Sequence, residues 1–277
     1  MTATTKPDLT DTVVSRDAEL AVRVDGPDHL PWIVLSNSLA ADLTMWDDQI
    51  LFLTRSYRVL RYDTRGHGRS SAPKGPYSFD MLVADFIAVM DRFDIRQADV
   101  LGLSMGGMTA LGVGLAYPER VNRLICADAR ADAPPPFVAG WDQRIAAIAA
   151  GGMGAVLAGT MERWFTAETR QNRPEIVDRA ARMVLDTSPV GYAGCAEALK
   201  GLDYLRHLPR LEPETLYIVG AEDAGAPPEA MRGMAAATPG AQFEILPRVA
   251  HISNMEDVAG FNARVADFLD ISRQAAE

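Results

Sequence analysis

The pentapeptide Gly102-Leu103-Ser104-Met105-Gly106 constrains this 277-residue chain more than any other stretch of it. Ala98 to Leu103 reads as a short buried strand and Met105 to Ala116 as a helix of small and apolar residues. The serine therefore falls at a strand-to-helix turn, the setting of a nucleophile elbow. Such a turn is strained and lifts the hydroxyl clear of the sheet. Glycines two residues before and two after remove the side chains that would collide there. The plain alternative is a glycine-rich turn in a membrane span, since Val100 to Pro118 carries no charged residue and is long enough to cross a bilayer. Five glycines, a serine and a threonine in that stretch argue against a span.

An elbow predicts an acid and then a histidine further along the chain. Four histidines are available. His29 lies in a Gly-Pro-Asp-His-Leu-Pro turn, His67 in an Arg-Gly-His-Gly loop upstream of the serine, and His207 in a polar stretch before Pro209. His251 fits: it follows the strand-like run Ala241 to Leu246 and precedes a helix over Val258 to Leu269, whose apolar residues at 258, 261, 265, 268 and 269 share one face. That places it at a strand's carboxyl end, where open α/β sheets bind ligands. For the acid, the apolar run Thr215 to Gly220 delivers Asp223 into the loop behind it. Asp128, at the end of the strand Arg123 to Ala127, is the rival, and Glu222 is expected to point to solvent.

These residue types divide the chemistry between them. A serine hydroxyl must lose its proton as it attacks, so a neutral imidazole within hydrogen-bond reach is needed. A buried carboxylate then holds the ring's tautomer and stabilises the imidazolium. Backbone N–H donors must receive the developing oxyanion. One is expected at Met105, and the other at Leu39, in the loop Ser36-Asn37-Ser38-Leu39 after the strand Trp32 to Leu35. Taken without the elbow, that loop is an ordinary turn.

The rest of the chain reads as a mostly parallel central sheet flanked by helices. Thr12 to Val24 suggests a pair of edge strands, Tyr57 to Tyr62 a core strand, and Ser78 to Phe93 a helix with apolar residues at 79, 82, 83, 86, 90 and 93 on one stripe. Between Asp128 and Pro209 no strand signal is visible. Helical segments near 141–150, 154–164, 174–186 and 189–200 predict an inserted lid. The organisation expected is a core over 1–128, a helical lid over 129–207 and the remainder of the core over 208–277. Within the lid, Trp141, Arg144 and Trp164 are candidates to line a substrate pocket, with Arg144 or Arg130 pairing a substrate carboxylate, although lid helices need aromatic residues and surface arginines in any case.

Composition narrows the partners. The net charge of −10 argues against nucleic acid or an anionic membrane, leaving a small molecule as the expected partner. Recognition of an anionic substrate would have to be local. Cys126 and Cys195 give neither a disulfide framework nor metal-ligand spacing, so no metal or other cofactor is expected. Gly66-His67-Gly68 does not extend to a phosphate-binding G-x-G-x-x-G. Met1 to Thr12 is polar, without an apolar signal core, and predicts a cytoplasmic protein. The oligomeric state leaves no trace in the composition.

Arg61-Tyr62-Asp63-Thr64-Arg65-Gly66-His67-Gly68-Arg69-Ser70, the elbow, and the positions of Asp223 and His251 resemble those of the α/β-hydrolases. Within that superfamily the chain resembles the 3-oxoadipate enol-lactonases of aromatic catabolism. This narrower likeness rests on Leu35 to Leu39, Asp42 to Trp46, Gly102 to Met108, Arg163-Trp164-Phe165-Thr166, Gly191 to Cys195 and Ala250-His251-Ile252-Ser253-Asn254. It implies an α/β-hydrolase fold and a serine hydrolase that opens a small carboxylated lactone through an acyl-enzyme. An esterase, lactamase, perhydrolase or C–C hydrolase would use the same triad. A ligand receptor on the same fold is the alternative from another class. Dehalogenases and epoxide hydrolases are disfavoured because their nucleophile is an aspartate. The chain departs from the family at Asp128 to Phe137, with Pro134-Pro135-Pro136, and at Glu212 to Thr215.

Overall fold

A computed structural model describes residues 9–271. The polar opening stretch, as far as residue 8, lies outside the described residues. Eight strands form one sheet: β1 Leu9–Ser15, β2 Ala18–Asp25, β3 Trp32–Ser36, β4 Arg58–Tyr62, β5 Ala98–Leu103, β6 Val121–Ala127, β7 Glu214–Gly220 and β8 Gln242–Leu246. Their spatial order is β1-β2-β4-β3-β5-β6-β7-β8. Only β2 runs against its neighbours, and every pair from β4 to β8 is parallel. The central strands are continuous apolar runs because helices cover both faces of a parallel sheet. In β5 all six residues are buried.

The helices are α1 Asp47–Leu53, α2 Phe79–Arg92, α3 Met105–Ala116, α4 Pro135–Gly151, α5 Gly154–Trp164, α6 Ala167–Asn172, α7 Pro174–Asp186, α8 Pro189–Lys200, α9 Pro228–Ala237, α10 Ser253–Glu256 and α11 Val258–Phe268. Ser78 caps α2 by accepting from Met81 N–H, and the expected stripe is buried at Phe79, Leu82, Val83, Phe86 and Met90. The helix that follows Ser104, α3, packs against β3, β5 and β6. Five consecutive helices, α4 to α8, lie between β6 and β7.

Two expectations need correction. The stretch from Thr12 to Val24 does form two strands, but only β1 is at the edge, because β2 also pairs with β4. That pairing joins Val22 to Tyr62 and is set by tertiary contacts that a local pattern does not contain. The helix expected from 141 begins at Pro135, since proline is tolerated in a first turn, where its missing N–H has no helical partner. The stretch Val100 to Pro118, read as an elbow rather than a membrane span, is divided chiefly between β5 and α3, and among the described residues no helix is long and apolar enough to cross a membrane.

Candidate active site

Ser104 sits between β5 and α3 with φ 57° and ψ −120°, a left-handed conformation that costs a non-glycine residue about 1–3 kcal/mol. The backbone holds it there through Ser104 N–H donating to Ala127 O at 2.8 Å. Both motif glycines are sterically required. A Cβ on Gly102 would lie 2.1 Å from Gly106 O, and one on Gly106 would lie 2.0 Å from Ser36 O. The second contact brings the start of α3 against the loop after β3, which places Leu39 beside the serine's cavity.

His251 occupies the loop after β8. Its Nε2 is 2.9 Å from Ser104 Oγ and its Nδ1 is 2.7 Å from Asp223 Oδ2. Asp223 is fixed in turn, because its Oδ1 accepts from Gly225 N–H at 2.7 Å and Ala226 N–H at 3.0 Å. With a carboxylate accepting at Nδ1, that nitrogen carries the proton and Nε2 is left as the acceptor facing the serine. Burial by itself would lower the imidazole pKa. The charge and hydrogen bond of Asp223, with the charge of Asp128, outweigh burial and the nearby Arg163, so the net shift is upward.

The rival acid is close but differently engaged. Asp128, at φ 46°, is fully buried and accepts from Gly220 N–H at 2.9 Å and from the Ser253 hydroxyl. Burial, followed by the charge of Asp223, pushes its pKa up, against the opposing effects of His251, Ser253 and Gly220. Glu222 is exposed. Of the other histidines, His67 is buried with Nδ1 3.1 Å from Arg65 O, and burial lowers its pKa to about 4. His207 contacts Arg210.

The two N–H groups expected to face an oxyanion, at Leu39 and Met105, have no protein acceptor among the described residues. Asn37 shapes the first of these loops: its amide donates to Tyr62 O at 2.8 Å, and its carbonyl accepts from Trp46 Nε1 at 2.9 Å.

A cavity of about 340 Å³ opens above Ser104 and His251. Trp141, Arg144 and Trp164 all line it, as does Arg130. Arg130 is already paired with Asp132 at 3.1 Å. Arg144 stacks on Trp141, with its guanidinium carbon 4.3 Å from the ring centroid. It has no carboxylate partner among the described residues, and burial lowers its pKa. Sequence reasoning passed over Arg163, which also lines the cavity. Its polar contact is with Thr160 Oγ1 at 3.2 Å, and burial and then the charge of Arg144 lower its pKa. Its position beside Trp164 in a motif already singled out was the available signal. Tyr192 and Phe137, whose rings both pack against Trp141, were likewise passed over.

Residues 31–258 match the alpha/beta hydrolase fold family, and the chain belongs to it. It is a hydrolase of that superfamily, and within it is similar to the 3-oxoadipate enol-lactonases. It is 35% identical to 3-oxoadipate enol-lactonase 2 of Acinetobacter baylyi over 255 residues, covering 92% of this chain and 94% of the relative. The crystal structure of the enol-lactonase from Burkholderia xenovorans LB400 superposes with a TM-score of 0.90 at 37% identity, covering 94% of this chain and all of that one. More distant is the putative carbamate hydrolase RutD of Caulobacter segnis, at 27% identity over 242 residues, 86% of this chain and 91% of the relative.

Proposed function

We propose that this hydrolase opens a small lactone bearing a free carboxylate, of the 3-oxoadipate enol-lactone type, with Ser104 as nucleophile, His251 as base and Asp223 as its orienting acid. One observation carries the reading. The hydrogen-bonded chain Asp223–His251–Ser104 ends in a cavity whose walls hold two arginines, Arg144 and Arg163, without a carboxylate partner among the described residues.

Ser104 Oγ attacks the lactone carbonyl as its proton passes to His251 Nε2, and the oxyanion is held by the N–H groups of Leu39 and Met105. On collapse, the ring C–O bond breaks and the imidazolium returns the proton to the leaving enol oxygen. This gives an acyl-Ser104 intermediate still carrying the ring-opened chain. Water, deprotonated by His251, attacks the acyl carbon, and a new carboxylate leaves as the serine is re-protonated. No step requires a cofactor. The residues over 129–207 act as the lid, with Arg144 on α4 and Arg163 on α5 receiving the substrate carboxylate.

General ester, lactam, carbamate, peracid or C–C chemistry could use the same three side chains, and what the two arginines favour among all of these is a substrate that carries an anionic group. The experiment is Ser104→Ala, with hydrolysis of 3-oxoadipate enol-lactone and of an aryl ester measured in parallel. Turnover is expected to fall by about 10³ to 10⁶, the scale of triad knockouts. Activity near that of the wild type would remove the serine mechanism. Stoichiometric capture of ligand by the wild type without turnover would favour a receptor instead.

A further inference from the structure

Glu256 is a buried carboxylate that the reaction sequence above does not use, yet it bridges the lid and the loop carrying His251. Its side chain is 4% exposed, at the end of α10. Oε1 accepts from Thr166 N–H and from the Thr166 hydroxyl, each at 2.8 Å, and Oε2 accepts from Ala250 N–H at 2.6 Å. Thr166 follows α5, the helix that contributes Thr160, Arg163 and Trp164 to the cavity wall. Ala250 immediately precedes His251 in the chain.

A second strap runs alongside the first. Ile252 N–H, on the other side of His251, donates to Trp164 O at 3.1 Å. The Glu256 carbonyl accepts from Arg173 Nη1 at 2.6 Å, drawing the start of α7 to the same point. Both chain neighbours of His251 are thus tied to the carboxyl end of α5, one of them through Glu256. The body of the molecule holds the loop through Glu222 N–H donating to Val249 O at 2.9 Å. The imidazole is consequently suspended between β7's loop and the lid.

We propose that Glu256 is a positioning residue that couples the seat of lid helix α5 to the alignment of His251 with Ser104. The inference rests on the triad reading above. Its chemical basis is the number of acceptors: a carboxylate offers two oxygens to three donors, whereas a carboxamide offers one oxygen and places an N–H₂ against the other donor. A charged acceptor also forms the shorter and stronger bonds. In Glu256→Gln either Ala250 or Thr166 loses its acceptor and the strap slackens. A displacement of about 1 Å between base and nucleophile costs on the order of 10²-fold in rate, while the cavity wall that binds substrate is retained.

The test is Glu256→Gln on the full chain, with kcat and KM for 3-oxoadipate enol-lactone and the rate of Ser104 labelling by a fluorophosphonate. Ser104→Ala serves as the control. The expected result is a kcat reduced by about 10- to 100-fold, labelling slowed in parallel and KM changed less than about two-fold, the pattern of lost alignment. A role confined to holding the lid together would raise KM and leave the labelling rate intact, and that outcome overturns the proposal. Should Glu256→Gln fail to fold, Thr166→Val removes the hydroxyl bond and keeps the N–H bond. It is expected to lower kcat by about 3- to 10-fold at constant KM, and an unchanged kcat would overturn the proposal. If Ser104→Ala keeps activity, the triad reading fails. If Ser104→Ala is inactive while Glu256→Gln retains wild-type kcat, only the coupling fails.

Discussion

At the residue scale, the roles of two buried carboxylates are separated by what each one touches. Asp223 faces His251 Nδ1, whereas Asp128 receives Gly220 N–H and the Ser253 hydroxyl. Asp223→Asn is therefore expected to keep the fold and to cost about 10⁴ in turnover, because an amide favours the wrong imidazole tautomer. Asp128→Asn should cost far less. The reverse ranking, in steady-state assays of the two variants, would transfer the acid's role to Asp128. The pH profile follows from the same contacts. His251 must be neutral to take the serine proton, and its pKa is raised from the ordinary histidine value of 6.5. The protonated, inactive form thus persists to higher pH, and kcat/KM is expected to rise with pH through a midpoint above 6.5. In Asp223→Asn that midpoint should move down, because the carboxylate that raises it is gone; a midpoint that stays put would contradict the assigned contact. The hydrogen-bonded trio of Ser104, His251 and Asp223 was legible in the sequence because a fixed motif and a fixed chain order point to those positions. Glu256 was not, since Thr166 lies 90 residues away in the chain and no local pattern records that contact; Arg163 was passed over although it stands beside Trp164 in a motif that had been singled out.

At the element scale, strands were easier to read than short helices. A buried parallel strand such as β5 or β7 is an unbroken apolar run bounded by turn residues. The seven-residue α1 and the six-residue α6 are shorter than the window over which a 3.6-residue period can be counted, and neither was anticipated. The alanine- and methionine-rich α9 was not anticipated either. The other four helices between β6 and β7 were legible as helices, and Trp141, Arg144 and Trp164 were read from them as cavity-lining candidates, but Arg163, Phe137 and Tyr192 were not. Arg144 on α4 carries the consequence. If it pairs with the substrate carboxylate, the bond is worth about 1.5–3 kcal/mol. Arg144→Leu should then raise KM for carboxylated lactones by roughly 10- to 100-fold, at about 1.4 kcal/mol per decade, and leave neutral esters nearly unchanged. Equal effects on charged and neutral substrates would remove Arg144 from carboxylate recognition.

At the scale of the whole molecule, charge and the proposed function pull in opposite directions. The chain carries a net charge of −10, so its overall field repels an anionic substrate. Under the proposed function, recognition of the carboxylate falls to the cavity, where Arg144 and Arg163 are partly withdrawn from water and have no carboxylate partner among the described residues. The composition made this conflict visible, but only the folded chain shows two cations brought together from α4 and α5. The most direct measurement compares kcat/KM of the wild-type protein for 3-oxoadipate enol-lactone and for the methyl ester of its free carboxylate, a substrate with the same ring and no charge. The account predicts that the charged lactone is preferred by roughly ten-fold or more, the equivalent of one charge-assisted pair. Equal values, or a preference for the neutral ester, would contradict it.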